Sequence, residues 1–234
     1  MKPYPPYTTA STLVPNANPA SPNALRITEI FHSLQGESSR VGLPTVFVRL
    51  TGCPLRCGYC DTSYAFSGGE TLDIATIVAR VTDFDTPYVC VTGGEPLAQK
   101  NCLNLLTVLC DAGYAVSLET SGALPIDTVD PRVARVVDIK TPGSGEIEKN
   151  LWANLRALKP GDEVKFVLCD AADYQWAKDV LQQHRLAQAC PILFSPVHGG
   201  LDPAQLAEWI LRDRLPVRLQ LQLHKYLWGN ERAR

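Results

Sequence analysis

The stretch TVFVRLTGCPLRCGYCDTSYAF, residues 45–66, runs from a β-branched apolar segment directly into a loop with three cysteines. Its first part, 45–51, reads as a strand. The loop places Cys53, Cys57 and Cys60 at C-x3-C-x2-C spacing. Thiolates are soft ligands that suit zinc or an iron–sulfur cluster. A closed zinc site takes four ligands, and four cysteines usually hold a [4Fe–4S] cube. Here the local count is three. Gly52, Gly58 and Pro54 suit a compact wrap around one cube, with one iron left to an outside ligand. On spacing alone two alternatives stay open: a zinc knuckle completed from elsewhere, with His32 or His198 as donor, or three idle thiols. Cys90, Cys102, Cys110, Cys169 and Cys190 are isolated, and four of them sit in or beside apolar stretches as small hydrophobes do.

Outward from that loop the chain alternates. Short β-branched runs at 26–31, 87–92, 114–119, 135–139, 163–168, 191–195 and 217–223 read as further strands. Ile74, Ile77, Val78 and Val81 recur at helical spacing, as do Cys102, Leu105, Leu106 and Leu109, and Leu206, Trp209 and Ile210. Strand–helix alternation predicts a parallel sheet with crossover helices. The strands are too few for a closed eight-fold barrel, so the expected fold is α/β, an open or partial parallel β/α barrel in one domain over 25–234. Residues 1–24, rich in Pro, Ser, Thr, Ala and Asn with almost no charge, read as a flexible, disordered arm. In parallel sheets ligands bind at the carboxyl ends of strands. The cysteine loop, TGGEP (92–96), ETSG (119–122), DIKTPGSG (138–145) and SPVHGG (195–200) each follow a strand, so the chemically rich segments converge on one rim.

The 234 residues carry a net charge of −2, which gives no basic stripe for nucleic acid. No apolar run reaches membrane-spanning length. No basic start followed by an apolar run marks a secretory signal. Eight cysteines without an export signal point to a reducing, cytoplasmic compartment.

The C-x3-C-x-aromatic-C pattern, with Tyr59 as the aromatic, resembles the signature of the radical S-adenosylmethionine (SAM) superfamily, and VTGGEP (91–96) resembles its glycine-rich SAM-binding motif. The resemblance implies that SAM is the missing fourth ligand, chelating the unique iron. The reduced cluster then cleaves SAM to methionine and a 5′-deoxyadenosyl radical. EIFHSLQGES (29–38), the cluster loop with Asp61–Thr62, and LQLQLHKYLWG (219–229), taken as a closing strand, resemble 7-carboxy-7-deazaguanine synthase. That family implies ring contraction of 6-carboxy-5,6,7,8-tetrahydropterin to 7-carboxy-7-deazaguanine with loss of ammonia, on a [4Fe–4S] cluster, SAM and Mg2+. The product feeds queuosine and related 7-deazapurines. A flavodoxin or ferredoxin reductant and a homodimer are implied with it.

The same resemblance assigns residues. Leu34, Gln35, Gly36, Arg49 and Thr92 would contact substrate, and Thr62 would bind Mg2+. Tyr59, Asp61, Gly94, Glu95, Glu119, Ser121, Asp138, Ile139, Lys140, Ser195 and His198 would face SAM. Arg49 interrupts an apolar strand, and a buried guanidinium needs an anion: the pterin carboxylate or an internal partner. A hydroxyl alone holds Mg2+ poorly, so Thr62 would need the substrate carboxylate and water beside it. Ser38 stands where the family usually has Gly, which puts that turn in question. In 217–223, Arg218, Gln220 and Gln222 form a polar face that either lines the site or meets water. The competing functions are a glycyl-radical activase and a zinc-stabilised binding module.

Overall fold

Strands buried on both faces dominate this chain, and their two faces differ in chemistry. The computed structural model describes residues 23–234. Among these, nine strands form one sheet: β1 (Ala24–Leu34), β2 (Pro44–Leu50), β3 (Glu70–Asp73), β4 (Tyr88–Gly93), β5 (Ala115–Thr120), β6 (Ala134–Ile139), β7 (Glu163–Leu168), β8 (Ile192–Pro196) and β9 (Arg218–Leu219). Their order is β3-β1-β2-β4-β5-β6-β7-β8-β9. From β2 to β9 every pairing is parallel. The sheet does not close on itself, so it is the expected partial barrel.

Four helices cover the outer face: α1 (Ile74–Thr82), α2 (Cys102–Asp111), α3 (Ala171–Gln183) and α4 (Pro203–Asp213). Asp73, Asp170 and Asp202 cap α1, α3 and α4 by accepting first-turn backbone N–H groups. Alternation along the strands sorts their side chains. Val46, Val48 and Leu50, with Val89, Val91, Val116 and Leu118, pack with Ile77, Val81, Leu105, Leu106 and Leu109 of α1 and α2. Val164, Phe166, Ile192 and Phe194 pack with Tyr174, Ala177, Leu181, Leu206 and Ile210 of α3 and α4. The residues between them, among them Phe47, Arg49, Thr92, Glu119, Asp138 and Lys165, face an inner cavity.

Several expectations are corrected. β1 pairs antiparallel with both β2 and β3. Only residues 35–43 separate β1 from β2, too few for a crossover, so the chain must double back. The edge strand β3 carries no β-branched run and was not anticipated. The strand expected over 217–223 shrinks to Arg218–Leu219, and Leu223–Trp228 forms helix α5 instead of a closing strand. Past β9 one further bond, from Gln220 N to Phe194 O, continues the edge; Leu223 N then turns to Gly36 O at 3.0 Å. The flexible arm lies outside the described residues up to residue 22, and Ala24 already opens β1.

The loop 35–43 passes beneath the barrel. Ser39 N donates to Glu163 at the start of β7 (2.8 Å) and Arg40 Nη1 to Ala115 O at the start of β5 (2.7 Å). At Ser38 φ is +66° and the residue is buried. A left-handed conformation costs a non-glycine residue about 1–2 kcal/mol, partly offset by glycine's extra unfolded-state freedom, about 0.5–1 kcal/mol. Ser38→Gly is therefore expected to stabilise the protein by up to ~1 kcal/mol, raising Tm by a few degrees in thermal unfolding at matched cluster loading; a lower Tm would show that the Ser38 hydroxyl outweighs the strain.

Candidate active site

Cys53, Cys57 and Cys60 follow β2 on the carboxyl rim and line a cavity of about 470 Å3. All three are free thiols and half-buried. Burial pushes the Cys53 and Cys57 thiols up, with Lys140 pulling the other way, so metal binding there must displace protons. Among the described residues no three His, Cys, Asp or Glu side chains are gathered tightly enough to hold a single ion. All three thiols line the cavity. His32 plays no part; it packs against Phe84 (5.8 Å).

The glycine-rich turn braces this loop. Gly94 N donates to Leu50 O (3.2 Å) and Glu95 N to Gly52 O (2.8 Å). A Cβ on Gly94 would lie 2.2 Å from Gly52 O and 2.7 Å from Cys53 Cβ, so only glycine allows the two loops to touch. Glu95, expected beside SAM, does not line the cavity. It is fully buried, away from the cavity. Its carboxylate accepts from Thr120 Oγ1 (2.9 Å), Ser121 N (2.7 Å), Ser121 Oγ (2.5 Å) and Leu97 N (3.0 Å). The acceptor is spent on tying the turn to the end of β5. Ile139 and Ser195 also miss the cavity: Ile139 is in the α3–α4 core, and Ser195 is buried within β8.

The remaining expected residues converge. Leu34, Gln35, Gly36, Arg49, Tyr59, Asp61, Thr62, Thr92, Gly94, Glu119, Ser121, Asp138, Lys140 and His198 all line the cavity. Arg49 has an internal partner, Glu29 (2.7 Å), which also accepts from Tyr64 (2.8 Å). Glu119 accepts from Gln35 Nε2 (3.2 Å) and Thr92 Oγ1 (2.9 Å), which joins it to two of the expected substrate contacts. Thr62 donates to Asp61 Oδ1 (2.7 Å), so a carboxylate stands beside the expected magnesium hydroxyl. Burial pushes Asp61 up, but the Thr62 bond and nearby Lys225 and Lys165 win and hold it low. Two buried polar atoms on the cavity wall, Tyr59 Oη and Asp138 Oδ1, have no partner. Such atoms are expected to meet a ligand or water.

Beyond the assigned residues the cavity is also lined by Glu37, Lys165, His224 and Lys225, and by Gln222, which fits one of the two readings of the polar face over 217–223. Lys165 was detectable, since it interrupts an apolar strand just as Arg49 does. Glu37 lay in the quoted Q-G-E segment. Gln222 belonged to the alternating polar face, of which Arg218 is exposed and Gln220 bonds its neighbour's carbonyl. His224 was hidden by the mistaken closing strand. A Cβ on Gly36 would meet His224 Nδ1 at 2.1 Å, so glycine admits the start of α5 against the floor loop. Burial lowers the His224 pKa, with Glu37 and Asp61 pulling the other way.

The Radical SAM superfamily model matches residues 47–138. The chain is 54% identical over 208 residues to the 7-carboxy-7-deazaguanine synthase of Chlorobaculum tepidum, covering 88% of this chain and 94% of the relative. It is 43% identical to that of Koribacter versatilis, covering 88% and 98%. A crystal structure of QueE from Escherichia coli has the same fold, with TM-score 0.73, 24% identity and coverage of 88% of this chain and all of the other.

The role assigned to Glu95 can be checked directly. Glu95→Gln places an amide donor among four donors, and one unsatisfied buried group costs roughly 1–3 kcal/mol. The expected result is a Tm lowered by several degrees; an unchanged Tm together with weakened SAM binding would instead return Glu95 to the ligand.

Proposed function

The chain belongs to the 7-carboxy-7-deazaguanine synthase family of radical SAM enzymes, and from that premise we propose that it contracts 6-carboxy-5,6,7,8-tetrahydropterin to 7-carboxy-7-deazaguanine, releasing ammonia, with a [4Fe–4S] cluster, SAM and Mg2+. The observation that carries this reading is the single cavity in which the three thiols face Arg49, Thr92, Glu119 and the Asp61–Thr62 pair.

Cys53, Cys57 and Cys60 would hold the cluster, and Tyr59, Gly94, Ser121, Asp138, Lys140 and His198 would surround SAM. When bound, the pair supplies a 5′-deoxyadenosyl radical that takes a hydrogen from the substrate. The chain's own task is then to orient the pterin and exclude water. Arg49, already neutralised by Glu29, offers its remaining N–H groups to the substrate carboxylate. Glu119, fixed by Gln35 and Thr92, presents its free lone pairs to ring N–H groups. Leu34 and Gly36 form the floor. Thr62 and Asp61 would hold Mg2+, which would neutralise and orient the substrate carboxylate.

The cavity favours a small substrate over the protein loop that a glycyl-radical activase must admit. The C-terminal segment crosses its open side: Gln222 Nε2 reaches Glu37 (3.0 Å), Lys225 lies 3.7 Å from Asp61, and Arg232 stacks over Tyr64. A flavodoxin or ferredoxin would supply the low-potential electron. Exposed Leu219, Leu221, Tyr226 and Leu227, close together in sequence on and beside β9 and α5, offer apolar surface for the second copy of a homodimer. Among the described residues no helix is long and apolar enough to cross a membrane.

An anaerobic assay with pterin, SAM, Mg2+ and reductant tests the reading. Wild type is expected to form 7-carboxy-7-deazaguanine, and Cys57→Ala to lose turnover completely. A colourless wild type that retains one zinc after reconstitution would overturn it. Arg49→Ala is expected to raise KM for the pterin by about tenfold or more, the loss of one charge-assisted contact of roughly 1.5–3 kcal/mol, while SAM affinity stays near wild type.

A further inference from the structure

Lys165 has an unusual position. It lies on the inner face of β7, its side chain largely buried, between two carboxylates from different parts of the chain. Glu37 Oε2 of the floor loop is 2.6 Å away, and Asp138 Oδ2 at the end of β6 is 3.8 Å away. Asp138 is its register partner across β6 and β7. Burial works against the charged form, but Glu37 and Asp138 outweigh it and hold the Lys165 pKa above its ordinary value. The same pairing outweighs burial at Glu37 and keeps it ionised.

The contacts continue on both sides. From Glu37 they run through Gln222 (3.0 Å) to Asp61 (3.5 Å) and Thr62 (2.7 Å), the half assigned to pterin and magnesium. From Asp138 they run to Lys140 (3.0 Å), which stands near Cys57, the half assigned to SAM. Neutralising Glu37 alone would need no contact with β6. Instead Lys165 and Lys140 share Asp138 Oδ2, while Asp138 Oδ1 is buried without a partner. A ligand hydroxyl or ammonium on Oδ1 would draw charge from Oδ2 and shift Lys165 toward Glu37. Tightening of Glu37 would in turn set the floor loop and, through Gln222, Asp61.

We infer that Lys165 is a positioning residue that couples the two halves of the cavity, so that SAM and the carboxylated pterin bind more tightly together than apart. The inference rests on the functional reading above. Coupling of this kind is reciprocal: each ligand must change the other's affinity by the same factor.

The test is anaerobic calorimetry on cluster-loaded protein without reductant, so that no turnover occurs. SAM is titrated with and without 6-carboxy-5,6,7,8-tetrahydropterin, and the pterin with and without SAM. Wild type is expected to show at least about fivefold tightening, equal in both directions, the low end of ordinary coupling. Lys165→Met should reduce that factor below about twofold, and Lys165→Arg should restore most of it. A merely structural lysine would weaken each ligand by one factor regardless of the other. If Lys165→Met loses iron or Tm, Glu37→Gln cuts the same link from the other side and should also abolish the coupling. Pterin binding to wild type without coupling, or coupling intact in both variants, overturns the inference alone. No pterin binding to wild type overturns the functional reading, and the coupling falls with it.

Discussion

Charge can be carried into a half-closed barrel only if it is balanced there, and this constraint organises the molecule. An ion removed from water costs several kcal/mol unless a partner and hydrogen bonds compensate it. The inner face of the sheet presents Arg49, Glu119, Asp138 and Lys165. Arg49 is met by Glu29, Lys165 by Glu37, and Asp138 by Lys140. Glu119 is met by the neutral donors Gln35 and Thr92. These partners come from β1, the floor loop and the rim, so balancing the charges also dictates the path of the chain. The floor loop must run beneath the sheet, because Gln35 and Glu37 have to reach β5 and β7.

A second pair of buried carboxylates does quieter structural work on the rim. Glu95 ties the glycine turn to β5, and that turn backs the cysteine loop. Asp173, in the first turn of α3, accepts from Thr141 Oγ1 (2.9 Å), Gly143 N (2.8 Å) and Cys169 N (2.9 Å). The loop it pins receives Gly58 N at Ser144 O (3.0 Å), inside the cysteine segment. The three thiols are thus held from both sides by backbone contacts, each anchored in turn on a buried acid. Charge-assisted bonds of this kind are short and directional, which would suit loops that hold a cluster without a fourth protein ligand.

How much was legible in the sequence follows from what leaves a local trace. Strands packed under helices did: period-two and period-3.6 patterns at β2, β4 to β8, α1, α2 and α4 gave the parallel layer and the rim. The cysteine spacing gave the site. β1 reads as a strand, but its direction is set by a nine-residue link too short for a crossover. β9 misled because Val217 to Leu223 alternates as a strand does, while alternation says nothing about whether a neighbour is present to pair with; beyond Gln220 none is. Glu95 and Arg49 share one lesson. A charged residue in a motif announces that it has a partner, but not whether the partner is ligand or protein. Glu37, Lys165 and His224 went unread because their meaning lies in contacts across long stretches of chain.

The crossing of the C-terminal segment over the floor loop also bears on how the molecule comes to exist. Gln222 and Glu37 lie 185 positions apart, so opposite walls of the cavity come from remote parts of the chain. Contacts so remote are slow to form, since the closure entropy falls due before they reward it. Gln222 and Lys225 of the tail line the same cavity as the thiols, so lifting the tail away would widen the way to the cysteine loop without disturbing the sheet.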